Sequence, residues 1–311
     1  RHRLVALADL GYGVMEGAMV EAAAYVVGAD LPRRGEPATF LRLLKDTDRP
    51  AALAEACREA REDRPSARVF RVAPEELEEI PGAPLAYWIA PSIRRLFSEL
   101  PPLEGNGAEV RVGLQTSDDF RFVRAFWEVD PARIARSREE TFRGKRWVPF
   151  AKGGEYSPYY ADVHLVVDWE EDGRRIRETG RKAHVRSAQY YFRPGLTWPE
   201  RTTSGFSPQA LPAGSVFSVS GPAAIPLTER PSFPLLGFMN DRVARTIVDS
   251  LVPAGEETAS GTAARHYGVG LIQKLPWPGP KLRGRAGDEL AARTAELTAI
   301  RASFDEADET A

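Results

Sequence analysis

The chain has 311 residues, 43% hydrophobic and 28% charged, with a formal net charge of −2 and one cysteine. That profile is of a soluble globular protein large enough for one big domain or two ordinary ones. It excludes an internal disulfide, and no apolar run approaches the roughly 20 residues of a membrane-crossing helix, so no membrane partner is expected and the cytoplasm is the expected location.

In chain order, the small-residue segment "ALADLGYGVMEGAMVEAAAYVVGAD" comes first and ends in a strand-like run, Ala24 to Val27. "ATFLRLL" reads as a second strand. Asp48 can cap a helix with Pro50 in its first turn, running through "AALAEACREARED" and carrying Cys57 as a packed thiol. "RVFRV" is a short strand, "PEELEEI" a helical turn stopped by Pro81-Gly82, and "APLAYWIAPSIRRLF" contains a helix with Ile93, Leu96 and Phe97 on one face.

From Glu109 the texture changes to short strands ("AEVRVGL", "RAFWEV", "WVPFA", "HLVVDW", "QYYF", "SVFSV") between turns rich in Gly, Pro, Ser and Asp. "FPLLGFMNDRVARTIVDSL" has the period of one amphipathic helix, with Leu236, Met239, Val243, Ile247 and Leu251 on its stripe. "GLIQKLPWPGP" reads as a strand with a proline stop. Asp288 can cap a last helix bearing Leu290, Leu297, Ile300 and Phe304. The predicted class is α+β, a strand-rich irregular domain with flanking helices.

The first chemical question is posed by Asp9-Leu10-Gly11-Tyr12-Gly13, which has the look of a nucleotide-cradling turn, with Asp30 as a possible ribose acid. Such a loop needs a strand before it, a helix after it and a small third residue; here that slot holds Met15. Ser157-Pro158-Tyr159-Tyr160 has one proline where an adenine-gripping turn needs two. His2, His164, His184 and His266 show no paired metal spacing. No catalytic, cofactor or metal residue is assigned.

The charge is uneven. Arg121 to Arg201 holds 17 Lys and Arg against 12 Asp and Glu, a local +5 that leaves −7 for the remainder. Within it, "RGKRWVPFAKGGEYSPYY" combines Arg143, Lys145, Arg146 and Lys152 with Trp147, Tyr156, Tyr159 and Tyr160, and Gly153-Gly154 can bring backbone N–H groups close to phosphate. "YYFRPGLTWPERTTSGFSP" repeats the pattern with Arg193, Trp198, Arg201, Thr202, Thr203 and Ser204. Cations would position a duplex, and aromatic and hydroxyl side chains would read its bases. The candidate DNA contacts are Arg121, Arg124, Lys145, Lys152, Gly153, Gly154, Tyr159, Trp198, Arg201, Thr203 and Ser204. Of these, Lys152 suits a phosphate and Arg201 a guanine.

On these segments the chain resembles the C-terminal half of large bacterial adenine-N6 DNA methyltransferases of the type II restriction-methylase and BREX (phage growth limitation) kind. "DLGYGVMEGAMVEAAAYVV" is similar to the segment that closes the family's catalytic domain. "YWIAPSIRRLF", "VGLQTSDDFRFVRAFWEV", "RWVPFAKGGEYSPYYADVHLVVDW", "QYYFRPGLTWPERTTSGFSPQALPAGSVFSVSG" and "LLGFMNDRVARTIVDSL" resemble its target-recognition region, in the family's order. The resemblance implies the end of a methyltransferase domain at 1–48, a helical linker at 49–85, a target-recognition domain at 86–280 and a C-terminal helix at 281–311 that leads to or docks on another domain. It also implies a fragment. The S-adenosylmethionine loop and Pro-Pro-Tyr motif would lie upstream, in a catalytic domain of the same parent enzyme. None of that cofactor is expected in this piece, which would be inactive alone. Double-stranded DNA is the implied partner, with other phage-defence proteins possible. The rival readings are a non-enzymatic specificity subunit, a complete small methyltransferase using "DLGYG" and "SPYY", and a carbohydrate-binding β module.

Overall fold

In the computed structural model, which describes residues 2–15, 20–180, 183–227, 233–252, 256–257, 263–282 and 284–303, the chain divides into two units, Arg1–Glu99 and Leu100–Ala311. The fold is α+β, as the alternation of short strands and helices predicts.

The first unit is built on one mixed sheet of β1 (Arg3–Gly11), β2 (Ala22–Gly28), β3 (Ala38–Arg42) and β4 (Val69–Val72), in the order β2-β1-β3-β4. β1 runs antiparallel to β2 and parallel to β3. Side chains alternate across β3. Leu41 packs with Ala8, Leu43, Ala52 and Ala56 on one face, where α1 (Arg49–Arg61) lies, and Cys57 is packed against that cluster. Asp48 caps α1 as its position predicts, accepting from the Ala51 N–H at 3.1 Å. On the other face Phe40 stacks on Tyr87 at 4.5 Å between ring centres, with Val72 and Leu77 beside them. Two short helices, α2 (Pro74–Leu77) and α3 (Pro91–Glu99), complete the unit.

β2 is an edge strand of this sheet, and its apolar residues stay in solvent. Tyr25, Val26 and Val27 are 69%, 58% and 46% exposed.

The second unit runs in chain order through β5 (Ala108–Arg111), α4 (Asp119–Phe122), β6 (Val123–Ala125), α5 (Arg138–Thr141), β7 (Trp147–Ala151), β8 (Leu165–Asp168) and α6 (Glu170–Arg177). It continues with β9 (Gly195–Thr197), β10 (Arg201–Thr202), β11 (Gln209–Leu211), β12 (Val216–Phe217), β13 (Ala223–Pro226), α7 (Phe233–Asn240) and α8 (Arg242–Leu251). β14 (Glu256–Glu257), β15 (Ala263–His266), α9 (Val269–Ile272) and α10 (Arg285–Ala302) close it. An antiparallel sheet, β11-β9-β13-β5, and a mixed sheet, β12-β7-β8-β6, share one core of Leu114, Phe122, Val148, Phe150, Trp169 and Phe217 with their neighbours. β7 is buried at every residue, which its unbroken apolar run "WVPFA" demands. A third small sheet, β10-β15-β14, lies beyond these two.

Several elements differ from the pattern reading. The "FPLLGFMNDRVARTIVDSL" stripe is two helices, because Asp241 leaves the helix to cap α8, accepting from the Val243 N–H at 2.7 Å. Leu236, Met239 and Ile247 are buried, while Val243 faces solvent. "QYYF" is a 3-10 turn, Ala188–Tyr190, set by left-handed φ at Ser187 and Phe192. "GLIQKLPWPGP" contributes the short helix α9 rather than a strand. α10 begins at Arg285, so Asp288 sits in its first turn and Gly284 caps it. Phe304 of the expected stripe lies outside the described residues. α10 crosses α7 closely enough that a Cβ on Gly237 would meet the Thr294 hydroxyl and stand 2.9 Å from Leu290.

Candidate nucleic-acid interface

The site is assembled at the C-terminal end of β7. Buried Val148, Phe150 and Ala151 pin that strand, so Lys152 and Gly153 leave it at a fixed point. The Ala151 carbonyl accepts from the Ser218 N–H at 2.9 Å. Gly153 has φ +77°, and a Cβ there would stand 2.6 Å from the Ser220 carbonyl and 3.5 Å from Pro199 Cα. The close approach predicted for this glycine is therefore to the protein's own 218–221 turn and to the "TWPER" segment. Gly154, at φ +151°, faces open space.

This packing joins two segments about fifty positions apart. The Gln209 side chain donates to the Glu155 carbonyl at 3.3 Å, and Tyr159 and Gln209 form a β-bridge. Tyr156 lies 3.8 Å from the position of a Cβ on Gly205 and accepts a hydrogen bond from Arg245 at 2.5 Å, with the guanidinium 5.6 Å over its ring. Lys152, Gly153, Gly154 and Tyr159 thus adjoin the 198–209 segment.

Arg201, Thr203 and Ser204 are exposed; Arg201 sits on β10 opposite His266 of β15, and the Ser204 N–H donates to the Thr202 hydroxyl at 3.0 Å. His266 lies 3.1 Å from the Glu200 carboxylate. Trp198 is fully buried, donates its indole N–H to the Tyr267 carbonyl at 2.8 Å and packs edge-on to Phe206. It supports the segment from beneath, and its ring is not at the surface. Lys145 is at the opposite end of β7, one strand length of roughly 16 Å away, and pairs with Glu140 at 2.7 Å. The structure does not bring it to the others.

Arg121 and Arg124 lie on a tip at residues 116–124 that reaches the site through Lys152. The Lys152 ammonium pairs with Asp119, which also accepts from the Thr116 hydroxyl. Burial pushes the Asp119 carboxyl up, but the hydrogen bonds from Lys152 and Thr116 outweigh it and hold the carboxyl below its usual range. Arg124 donates to the Phe120 and Val123 carbonyls at 2.6 Å each. Arg121, exposed, lies 4.9 Å over the Phe122 ring and has no carboxylate partner among the described residues. Phe120, just before Arg121, is 92% exposed. Pattern reading passes it over, because "SDDFRF" holds two phenylalanines and only the buried one, Phe122, behaves as core. Tyr156, Gln209 and Arg245 were likewise outside the candidate set.

A cleft beside Lys152, lined by Ala161, Asp162, His164, Thr197 and Gln209, has about 20 Å³ of room, the space of about one water. It does not fit a nucleotide-sized cofactor. Nor does the Gly11–Gly13 turn. The next described strand after it is the antiparallel β2, and the missing side chain of Gly11 faces Leu44 at 2.9 Å. Asp9 accepts from the Tyr87 hydroxyl at 3.0 Å and Asp30 pairs with Arg3 at 3.1 Å, so both acids serve the fold. Among the described residues no group of three metal-ligating side chains is suited to an ion, and no helix is long and apolar enough to cross a membrane.

The second unit is thus an α+β body in which the 152–160 loop packs against the 198–209 segment. Comparison with known proteins makes the class more definite: the chain is similar to adenine-specific methyltransferases. It is 26% identical to the adenine-specific methyltransferase PglX of Lacticaseibacillus casei (strain Zhang) over 284 residues, 88% of this chain and 23% of the relative. It is 32% identical to the adenine-specific methyltransferase BrxX of Escherichia coli O9:H4 (strain HS) over 149 residues, 48% of this chain and 12% of the relative. The resemblance carried by the sequence motifs is therefore borne out. The chain spans under a quarter of the length of these curated relatives. No family model matches it.

Proposed function

We propose that the second unit holds double-stranded DNA and selects its sequence within a site-specific adenine-N6 methyltransferase of a BREX-type phage-defence or restriction-modification system. In this reading the first unit closes the catalytic domain of the same enzyme, and S-adenosylmethionine is bound by another part of the longer protein. The observation that carries it is the joining of the Lys152–Tyr160 loop to the Trp198–Gln209 segment, beside exposed Arg121 and Arg201. Arg201 is the base reader, since a planar guanidinium can meet guanine O6 and N7 together. Lys152 is the phosphate contact: its ammonium has three N–H donors, so it can keep Asp119 while also meeting a DNA oxygen.

The test is duplex binding by fluorescence anisotropy across a salt series. With roughly six to eight phosphate contacts, affinity should fall about a thousandfold between about 50 and 200 mM salt. Absence of binding at low salt, or a flat response, refutes the reading. Lys152→Ala should weaken all duplexes about equally and lower the salt slope by about one, whereas Arg201→Ala should cost about 1–3 kcal/mol on the recognised site alone. Methylation-site sequencing with the longer enzyme identifies that site.

A further inference from the structure

We propose that Phe120 is a wedge that enters the base stack of bound DNA, an inference that rests on the DNA-binding reading above. Of the large apolar side chains among the described residues, it is the most exposed. Burying such a ring is strongly favourable, so a ring left bare on a braced segment asks for a partner. The brace is extensive. Ser117 holds φ +59°, and the Asp118 side chain caps α4 by accepting from the Arg121 N–H at 3.1 Å. Arg124 ties down the carbonyl of Phe120 itself, Asp119 is clamped by Thr116 and Lys152, and Phe122, two residues on, is anchored in the core. The ring is carried by a tip fixed at both ends.

The surroundings select the partner. The two carboxylates of the tip are committed to its own structure, Asp118 to its cap and Asp119 to Lys152 and Thr116. The next residue in the chain, Arg121, is exposed and has no carboxylate partner among the described residues; its guanidinium stands over the neighbouring Phe122 ring. A bare apolar ring followed in the chain by an exposed arginine suits a base step bordered by phosphates, where apolar side chains insert and partly unstack the bases. The ring recovers the lost stacking by contact with base faces.

The experiment uses the full chain and a duplex in which 2-aminopurine replaces adenine along one strand, so that unstacking raises fluorescence. Anisotropy on the same duplex reports binding separately. Binding of the unaltered chain at low salt should raise the fluorescence. Phe120→Ala should remove that rise and weaken binding by about tenfold, while Phe120→Trp, which keeps an aromatic wedge, should retain both. Unchanged thermal unfolding of the two variants would show that the fold is intact. Bound DNA with no fluorescence rise, or a rise and affinity indifferent to Phe120→Ala, overturns the wedge and leaves DNA binding standing; the second result is expected if the ring serves a protein partner. No binding by the unaltered chain overturns the DNA reading and the wedge with it.

Discussion

Acid should loosen the 116–124 tip late. Asp119 is held below its ordinary range in the folded chain, so the stabilisation it gives is complete above the ordinary Asp value near 4 and is lost as pH falls through the lower folded value. An NMR titration of its carboxyl should show a midpoint below 4, and Lys152→Ala should move that midpoint upward. Tyr267 is one of the buried tyrosines that shape the alkaline limit. Burial, then the hydrogen bond to Asp249 at 2.8 Å, pushes its hydroxyl up to about 12. Its contribution to stability is complete below the unfolded phenol value near 10 and is drawn down as pH rises towards 12; Tyr267→Phe should flatten chemical-denaturation midpoints across that window. The partner of its carbonyl, Trp198, is testable from the same neighbourhood. Trp198→Phe strands a buried acceptor and should cost about 1–3 kcal/mol with no change in the salt slope of DNA binding.

At the scale of elements, the helix pair α7–α8 shows why periodicity misleads. The apolar stripe keeps its phase through Asn240 and Asp241, so spacing alone reads one helix; the break comes from the Asp241 side chain competing for a backbone N–H, which no periodic measure detects. Asp241→Ala should lower stability by about 1 kcal/mol. Gly237→Ala should cost about 1–3 kcal/mol, since its methyl would be driven into Thr294 and Leu290 of α10. Both are measurable by urea unfolding. By contrast β7, β4 and the Asp48-capped α1 were readable from the sequence, because local signals (a dense apolar run, a capping aspartate with proline behind it) already determine them. "QYYF" was not: aromatic β-propensity loses there to left-handed backbone at Ser187 and Phe192.

Taken as a molecule, the chain announces its basic middle in composition but hides how those charges are committed. Lys152 and Asp119 are 33 positions apart, Gly153 and Ser220 farther still, and only the folded sheets bring them together. Trp198 and Phe120 invert the expectation from residue type, one aromatic buried and the other bare. Edge strand β2 of the first unit has a further consequence, for handling the purified chain. β2 offers an unpaired backbone ladder decorated with Tyr25, Val26 and Val27 in solvent, which is a template for strand addition by a neighbouring copy. Light scattering should therefore rise with concentration and with standing time. Val26→Lys, which places a charge on that edge, should suppress the rise while leaving the thermal midpoint where it was.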